Sequence, residues 1–383
     1  MNKLSSWKKE FPFHIAKRSD ICWWKSLLAR FGAVLFGIVL LCLLLLTFVG
    51  ANPIAVLGKI FQGCFSSPRR VWITFRDTAL VLTVALALVP AFKMKFWNLG
   101  GNGQILMGDL MAIVCMFFMG KANCPDWAIV LVSFFSSILA GMVWALIPAI
   151  FKAFFNTNES LFTLMMNYIA AGLVSVFLSA VVTSGSGTLS IQEKGQFPQI
   201  AGNNYLLSIL VSIVVLVTIF VYLRFSKRGY ELEVVGESRN TAKYIGINVK
   251  KVILRTMALS GALCGLVGFL FASSIDHTIT AESARNLGFT AIMVAWLAKF
   301  NPLAMFGTAF LVAFLDNGMS SVQTAFSITN DSIGDIAIGL VYFCIIAVEF
   351  FISYKIVKKR VNSSAKETAK ALANVNEEKE GGK

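Results

Sequence analysis

Charge is what this chain has least of. Asp, Glu, Lys and Arg together make up 14% of its 383 residues, where a soluble domain carries about a quarter. An ordinary water-soluble domain is thereby excluded. Histidine is almost missing. His14 falls in the leading segment and His277 in a loop on the other side of the expected topology, so no His-based metal site or triad can form within the chain. The seven cysteines show no C-x-x-C spacing, which argues against a zinc site. Four of them lie in apolar spans, where cysteine behaves as a small hydrophobe. Cys64 and Cys124 fall on one side and leave a bridge formally open, but two stray cysteines rarely meet the geometry a disulfide needs. The G-x-x-x-x-G-K-[ST] phosphate loop is absent, because Gly58-Lys59 and Gly120-Lys121 are followed by Ile60 and Ala122. The chain is therefore expected to have no ATPase site of its own, to be no enzyme, and to bind no cofactor or metal itself.

What is abundant is apolar sequence: 57% of residues, with a mean hydropathy of +0.73. A spanning helix needs about 20 mostly apolar residues. Phe31–Ala51, Trp127–Ile150, Glu159–Val182, Tyr205–Arg224, Val252–Ile275 and Ile333–Tyr354 meet that requirement. Thr78–Phe92, Gln104–Met119, Leu287–Ala298 and Pro302–Leu315 are shorter, at roughly 12 to 16 apolar residues, and read as short, tilted or broken helices inside the bundle. The expected fold is an all-α polytopic membrane protein of about ten transmembrane helices. Phe31–Ala51 is too long for a signal-peptide core and has no A-x-A site after it, so it reads as a retained first span.

The formal net charge is +14. Its distribution speaks for a membrane partner and against nucleic acid. With ten crossings and both termini cytosolic, 27 of the 34 Lys and Arg fall on the cytosolic side, the positive-inside pattern, which also attracts anionic lipid heads. Only Lys59, Arg69, Arg70, Arg76, Lys121, Lys194 and Arg285 fall outside. The first three arginines make the 52–77 loop the misfit. The layout is a basic lead (1–30), a membrane domain (31–354) with a cytosolic loop at 225–251, and a polar tail (355–383) that reads as frayed helix or disorder from Val361. Residues 183–204, with Ser184-Gly185-Ser186-Gly187, read as an outer surface loop. The 316–332 segment, with Asp316 and Asp331 and no Lys or Arg, reads as a second one. Gly261, Gly265 and Gly268 predict close helix packing.

Three segments could carry function. Asn98-Leu99-Gly100-Gly101-Asn102-Gly103-Gln104 opens the third span. Its glycines allow irregular backbone at membrane depth, tolerated only inside protein or along a cavity. Gln104 and Asp109 carry the polarity into the helix, and a mid-helix carboxylate costs about 2.5–3.5 kcal/mol. It reads equally as a structural contact or a solute contact. In the fifth span Asn158 or Thr157 can cap and Glu159 opposes the helix dipole. Thr163 and Asn167 share a face, where they could bind a polar solute or glue two helices. In the basic loop from Arg224 to Arg255, Ser238 can cap a short helix over Arg239–Ile245 and Gly246 can end it in the left-handed conformation. That helix could sit near anionic lipid or insert in a partner's groove. Trp144, Phe162, Tyr168, Phe289 and Trp296 are candidate aromatic faces for a solute, although aromatic residues are plentiful here and packing alone accounts for any single one.

The segment Val235-Gly236-Glu237-Ser238-Arg239-Asn240-Thr241-Ala242-Lys243-Tyr244-Ile245-Gly246-Ile247-Asn248-Val249, followed by Leu259-Ser260-Gly261, resembles the cytoplasmic coupling segment of bacterial ABC importer permeases for simple sugars and nucleosides. Asn98–Gln104, Glu159–Ala170 and Leu287–Pro302 resemble the nucleoside branch. Asn102 stands where the family usually has an acid, and Asp109 where it has a small residue. These departures bear on the solute more than on the fold. The long basic lead resembles the longer of two paired permeases. The resemblance implies a path lined by Asn98, Asn102, Gln104, Asp109, Thr163, Asn167, Tyr168 and Phe289. It also implies coupling through Gly236, Glu237, Arg239, Ala242, Tyr244 and Gly246. Implied partners are a cytosolic ATPase that uses ATP and Mg, a second permease subunit in a heterodimer, and an extracytoplasmic solute-binding lipoprotein. The implied location is the bacterial cytoplasmic (inner) membrane. A sugar permease for ribose or galactose is the nearest alternative. An ion-coupled secondary transporter using Asp109 and Glu349 is the second. A transferase on a lipid-linked substrate would need clustered acids or His, which are not found.

Overall fold

The computed structural model describes residues 13–17, 23–182, 188–200, 202–328 and 332–358. In chain order the elements are β1 (Phe13–Lys17), α1 (Trp23–Val49), α2 (Pro53–Phe65), α3 (Pro68–Lys93), α4 (Gly101–Lys121), α5 (Asp126–Phe155), α6 (Glu159–Val181), α7 (Leu206–Phe225), α8 (Lys227–Glu237), α9 (Arg239–Tyr244) and α10 (Val249–Leu270). A π-type turn, Phe271–Ile275, extends α10, and α11 (Leu287–Leu297), α12 (Pro302–Ala325), α13 (Ser332–Ser353) and β2 (Tyr354–Lys358) follow. Among the described residues eight helices are long and apolar enough to cross a membrane. Shorter apolar helices join them, α11 among them. The chain is an all-α polytopic membrane protein, as its hydropathy predicts.

Three of the four stretches expected to be short are full-length. α3 has 26 residues, α4 has 21 and α12 has 24, while only α11, with 11, stays short. The apolar runs stop at charges that the fold pairs. Arg76 bonds Asp77 at 2.7 Å, and the other Asp77 oxygen accepts from Asn317 Nδ2 at 3.0 Å. With those groups satisfied, α3 continues through them, and α12 runs on past Asp316 to Ala325. The 52–77 segment is accordingly no loop. Asn52 and Ser67 cap helices that each begin with proline. The expected loop at 316–332 is likewise helix as far as Ala325.

The chain divides into two compact units, one of 1–44 with 339–383 and one of 45–338. In the first, β1 and β2 pair antiparallel, Phe13 opposite Lys358 and Lys17 opposite Tyr354, a small sheet that hydropathy did not foretell. Arg30 bonds Glu349 at 3.1 Å, so this membrane carboxylate is neutralised within its own unit. The tail from Val361 and the Ser184–Gly187 run lie outside the described residues.

In the second unit α3 is the central helix, buried on every face from Thr78 to Phe92. α10 packs most extensively on α5 and then on α4. Glycine makes this possible: a Cβ at Gly261 would overlap the Gly141 carbonyl, and one at Gly265 the Ser137 carbonyl. Lipid supplies no hydrophobic drive between helices, so dispersion at such close approach holds them together. Cys64 and Cys124 are both free, and the Cys64 thiol bonds the Phe314 carbonyl at 3.3 Å.

Candidate functional site

α3 ends at Lys93 and α4 begins at Gly101, so seven residues cross from one to the other without helix. Their backbone groups need partners, and Asn98 within the crossing and Thr163 and Asn167 from α6 supply several of them. Asn98 is fully buried; its Oδ1 accepts from Gly100 N–H and from Gln104 Nε2, both at 3.1 Å, and its Nδ2 donates to Ser260 Oγ at 3.2 Å. Thr163 Oγ1 accepts from Leu99 N–H at 3.1 Å. Asn167 bridges the turn, accepting from Gly103 N–H at 2.8 Å and donating to the Leu99 carbonyl at 2.9 Å. Asn102 Oδ1 accepts from Gly288 N–H at 2.7 Å, and its Nδ2 lies 3.4 Å from Asn286 Oδ1. The junction thus ties the N-terminal end of α4 to α6, α10 and α11.

Five of the eight expected path residues, Asn98, Asn102, Gln104, Thr163 and Asn167, meet at this junction: Thr163 and Asn167 bond main chain, Asn98 and Asn102 bond both main chain and side chains, and Gln104 bonds the Asn98 amide. Tyr168 and Phe289 point outward from α6 and α11, at 69% and 37% exposure. Asp109 stands apart. It is buried, and neither carboxylate oxygen has a hydrogen-bond partner among the described residues. Of the other aromatic candidates, Phe162 stacks on Phe151 at 4.9 Å and Trp144 buries its Nε1 without a partner. Ser260 and Asn286 were not expected as junction residues. Asn286, immediately before α11 and in the left-handed conformation (φ 54°), carries a helix-start signal that could have revealed it.

The basic segment is helical, with α8 unforeseen and α9 where Ser238 predicts it. Ser238 Oγ accepts from Thr241 N–H at 3.2 Å, and Gly246 has φ +83°. α8 is clamped by Arg255–Glu231 at 3.0 Å and Lys93–Glu233 at 3.9 Å. Leu232, Val235 and Ala242 are buried in a cluster with Met94, Phe96, Ala149 and Met257. Gly236 rests on α3, where a Cβ would overlap the Lys93 carbonyl. Glu237, Arg239 and Gly246 are exposed, and Tyr244 stands out at 90% exposure. The inner face of the segment therefore holds the strand of chain that leads into the polar junction, and its outer face is open. Among the described residues no group of three His, Cys, Asp or Glu is placed to hold a metal ion.

Comparison with known proteins gives this arrangement its context. Residues 72–347 match the family described as branched-chain amino acid transport system / permease component. The chain is 25% identical to the nucleoside ABC transporter permease protein NupB of Lactococcus lactis subsp. cremoris, over 90% of this chain and 97% of that protein. It is 27% identical to the guanosine ABC transporter permease protein NupP of Bacillus subtilis, over 82% and 91%. It is 24% identical to the glucose ABC transporter permease protein TsgB13 of Haloferax volcanii, over 80% and 84%. The chain belongs to this permease family: it is a multi-pass inner-membrane subunit of an ABC transporter, a transport component and not an enzyme.

Proposed function

We propose that this permease imports a nucleoside and is driven by a separate ATPase through the 236–247 segment. The observation that carries the reading is the end-to-end similarity to nucleoside and guanosine permeases. Family membership sets aside the ion-coupled secondary transporter, and a sugar remains the second reading because a glucose permease is also similar. The open faces of α6 and α11, with Tyr168 and Phe289, supply half of a path that a second permease subunit completes. An extracytoplasmic solute-binding lipoprotein delivers solute to the outer mouth. ATP and Mg belong to the cytosolic ATPase, which grips Arg239, Tyr244 and their neighbours.

The mechanism needs differential affinity, since the ATPase must bind the coupling segment differently in two states for anything to move. Gly236 against the Lys93 carbonyl gives that movement a direct route into 94–100, which Asn167 ties to α6, and Asn102 at the start of α4 ties the next turn to α11. Two observations support placing both termini and the coupling segment in the cytosol. The β1–β2 pairing brings residues 13–17 and 354–358 together, which fits both termini on one side, and the positive-inside rule assigns the basic 224–255 segment to the cytosol. The test is uptake of radiolabelled guanosine, adenosine, uridine, ribose and galactose into vesicles containing the assembled transporter. ATP-dependent uptake of a nucleoside is expected, and uptake of sugar alone overturns the reading. Arg239→Glu should abolish nucleoside-stimulated ATP hydrolysis; normal stimulation would remove the coupling role.

A further inference from the structure

A half-open cavity of about 460 Å³ lies where the ends of α3, α8 and α11 meet. Its floor is aromatic. Trp97 meets Phe92 edge-on at 5.9 Å and Trp296 at 5.3 Å, and Phe300 stacks on Phe92 at 6.0 Å. Trp97 and Trp296 each remain nearly half exposed. The turns that bring these rings together hold Lys95 and Phe300 at positive φ, 57° and 58°, a strain that persists only where surrounding structure enforces it. The rim is polar and balanced. Lys93 and Lys95 line it together with Glu233 and Glu237, and Lys93 pairs with Glu233 at 3.9 Å, so the lining has no net formal charge. Glu237 makes no ion pair among the described residues.

We infer that this cavity is a release site for an uncharged heteroaromatic solute that carries hydroxyl and amino donors, the chemistry of a nucleoside. The inference rests on the importer reading above. Indole rings stack a base, and the carboxylates accept hydrogen bonds from sugar hydroxyls and exocyclic amines. A balanced rim attracts neither phosphorylated nor cationic solutes. One wall is Gly236, whose backbone touches the Lys93 carbonyl. Moving α8 relative to α3 therefore changes the cavity, and the ATPase sets the affinity of the site through the element it grips.

The test uses vesicles holding the complete transporter with its ATPase, preloaded with unlabelled guanosine on the ATPase side. Internal guanosine should slow initial ATP-driven uptake. Trp296→Ala and Glu237→Gln should each raise the half-inhibiting internal concentration by about tenfold, and Trp296→Phe by about twofold, consistent with the value of base stacking. The readout is that concentration and not the rate, and Tyr244→Ala, on the gripped element but outside the cavity, must shift it less than Trp296→Ala and Glu237→Gln do for the site to stand. Glu237 is exposed, so its variant carries the test if Trp296→Ala fails to assemble. Unchanged half-inhibition in variants that still take up guanosine overturns the site and leaves the importer reading intact. Failure of the wild-type vesicles to take up any nucleoside overturns both. A phospholipid found by native mass spectrometry on the wild type and lost from Trp296→Ala, with unchanged half-inhibition, assigns the cavity to lipid instead.

Discussion

At the residue scale, Asn167 and Asp109 mark two extremes among the polar side chains of this bundle, one bonded to main chain and one a buried carboxylate without a partner among the described residues. Asn167 satisfies two main-chain groups at once. Asn167→Ala leaves both buried without water, at about 2 kcal/mol or more, and thermal unfolding of the purified protein should fall by several degrees. Asp109 is the opposite case. A buried carboxylate at membrane depth costs about 2.5–3.5 kcal/mol, and its oxygens have no partner among the described residues. Asp109→Asn keeps the shape without the charge, so the unfolding temperature should hold or rise; a clear drop would reveal a partner for the carboxylate. Asparagines and glycines around position 100 were legible as a place of irregular backbone. Their roles were not, because the partners lie far along the chain: Ser260 is 162 positions from Asn98, and Asn286 is 184 from Asn102.

At the scale of elements, glycine decides how close the helices come. Gly265 faces α5 with no room for a side chain, so Gly265→Leu overpacks the α10–α5 crossing and should destabilise the protein by at least about 1–3 kcal/mol, read as lost monodispersity and a lower unfolding temperature. Gly236 is a different kind of contact, between the coupling segment and the end of α3. Gly236→Val pushes α8 off the Lys93 carbonyl. Assembly with the ATPase should persist while solute-stimulated hydrolysis falls at least about tenfold, since Arg239 and Tyr244 stay exposed; full stimulation would show that movement does not pass through this contact. α9 was readable from Ser238 and Gly246 because capping is local chemistry. The true length of α3 was not, because a charge ends an apolar run on paper, whereas Asp77, held by Arg76 and Asn317, ends nothing in the bundle.

At the scale of the whole molecule, the reading depends on which face the coupling segment occupies. Asn240 is exposed on α9. With the native cysteines replaced, Asn240→Cys should resist an impermeant maleimide added outside intact cells and react with it in inverted vesicles. Labelling from outside would reverse the topology and remove the importer mechanism.

Hydropathy and charge asymmetry by themselves determined a polytopic helical bundle with a basic segment near two-thirds of its length, because bilayer thickness and backbone hydrogen bonding leave a long apolar run few alternatives. Local capping chemistry likewise determined α9. Only the tertiary structure decided what the polar residues do. It assigned Thr163 and Asn167 to hold main chain, left Tyr168 and Phe289 open, and drew Trp97, Trp296 and Glu237 from three separate elements around one cavity. The reason is physical: a side chain at membrane depth bonds to whatever the packing brings near it, and that neighbour is set by helices distant in sequence.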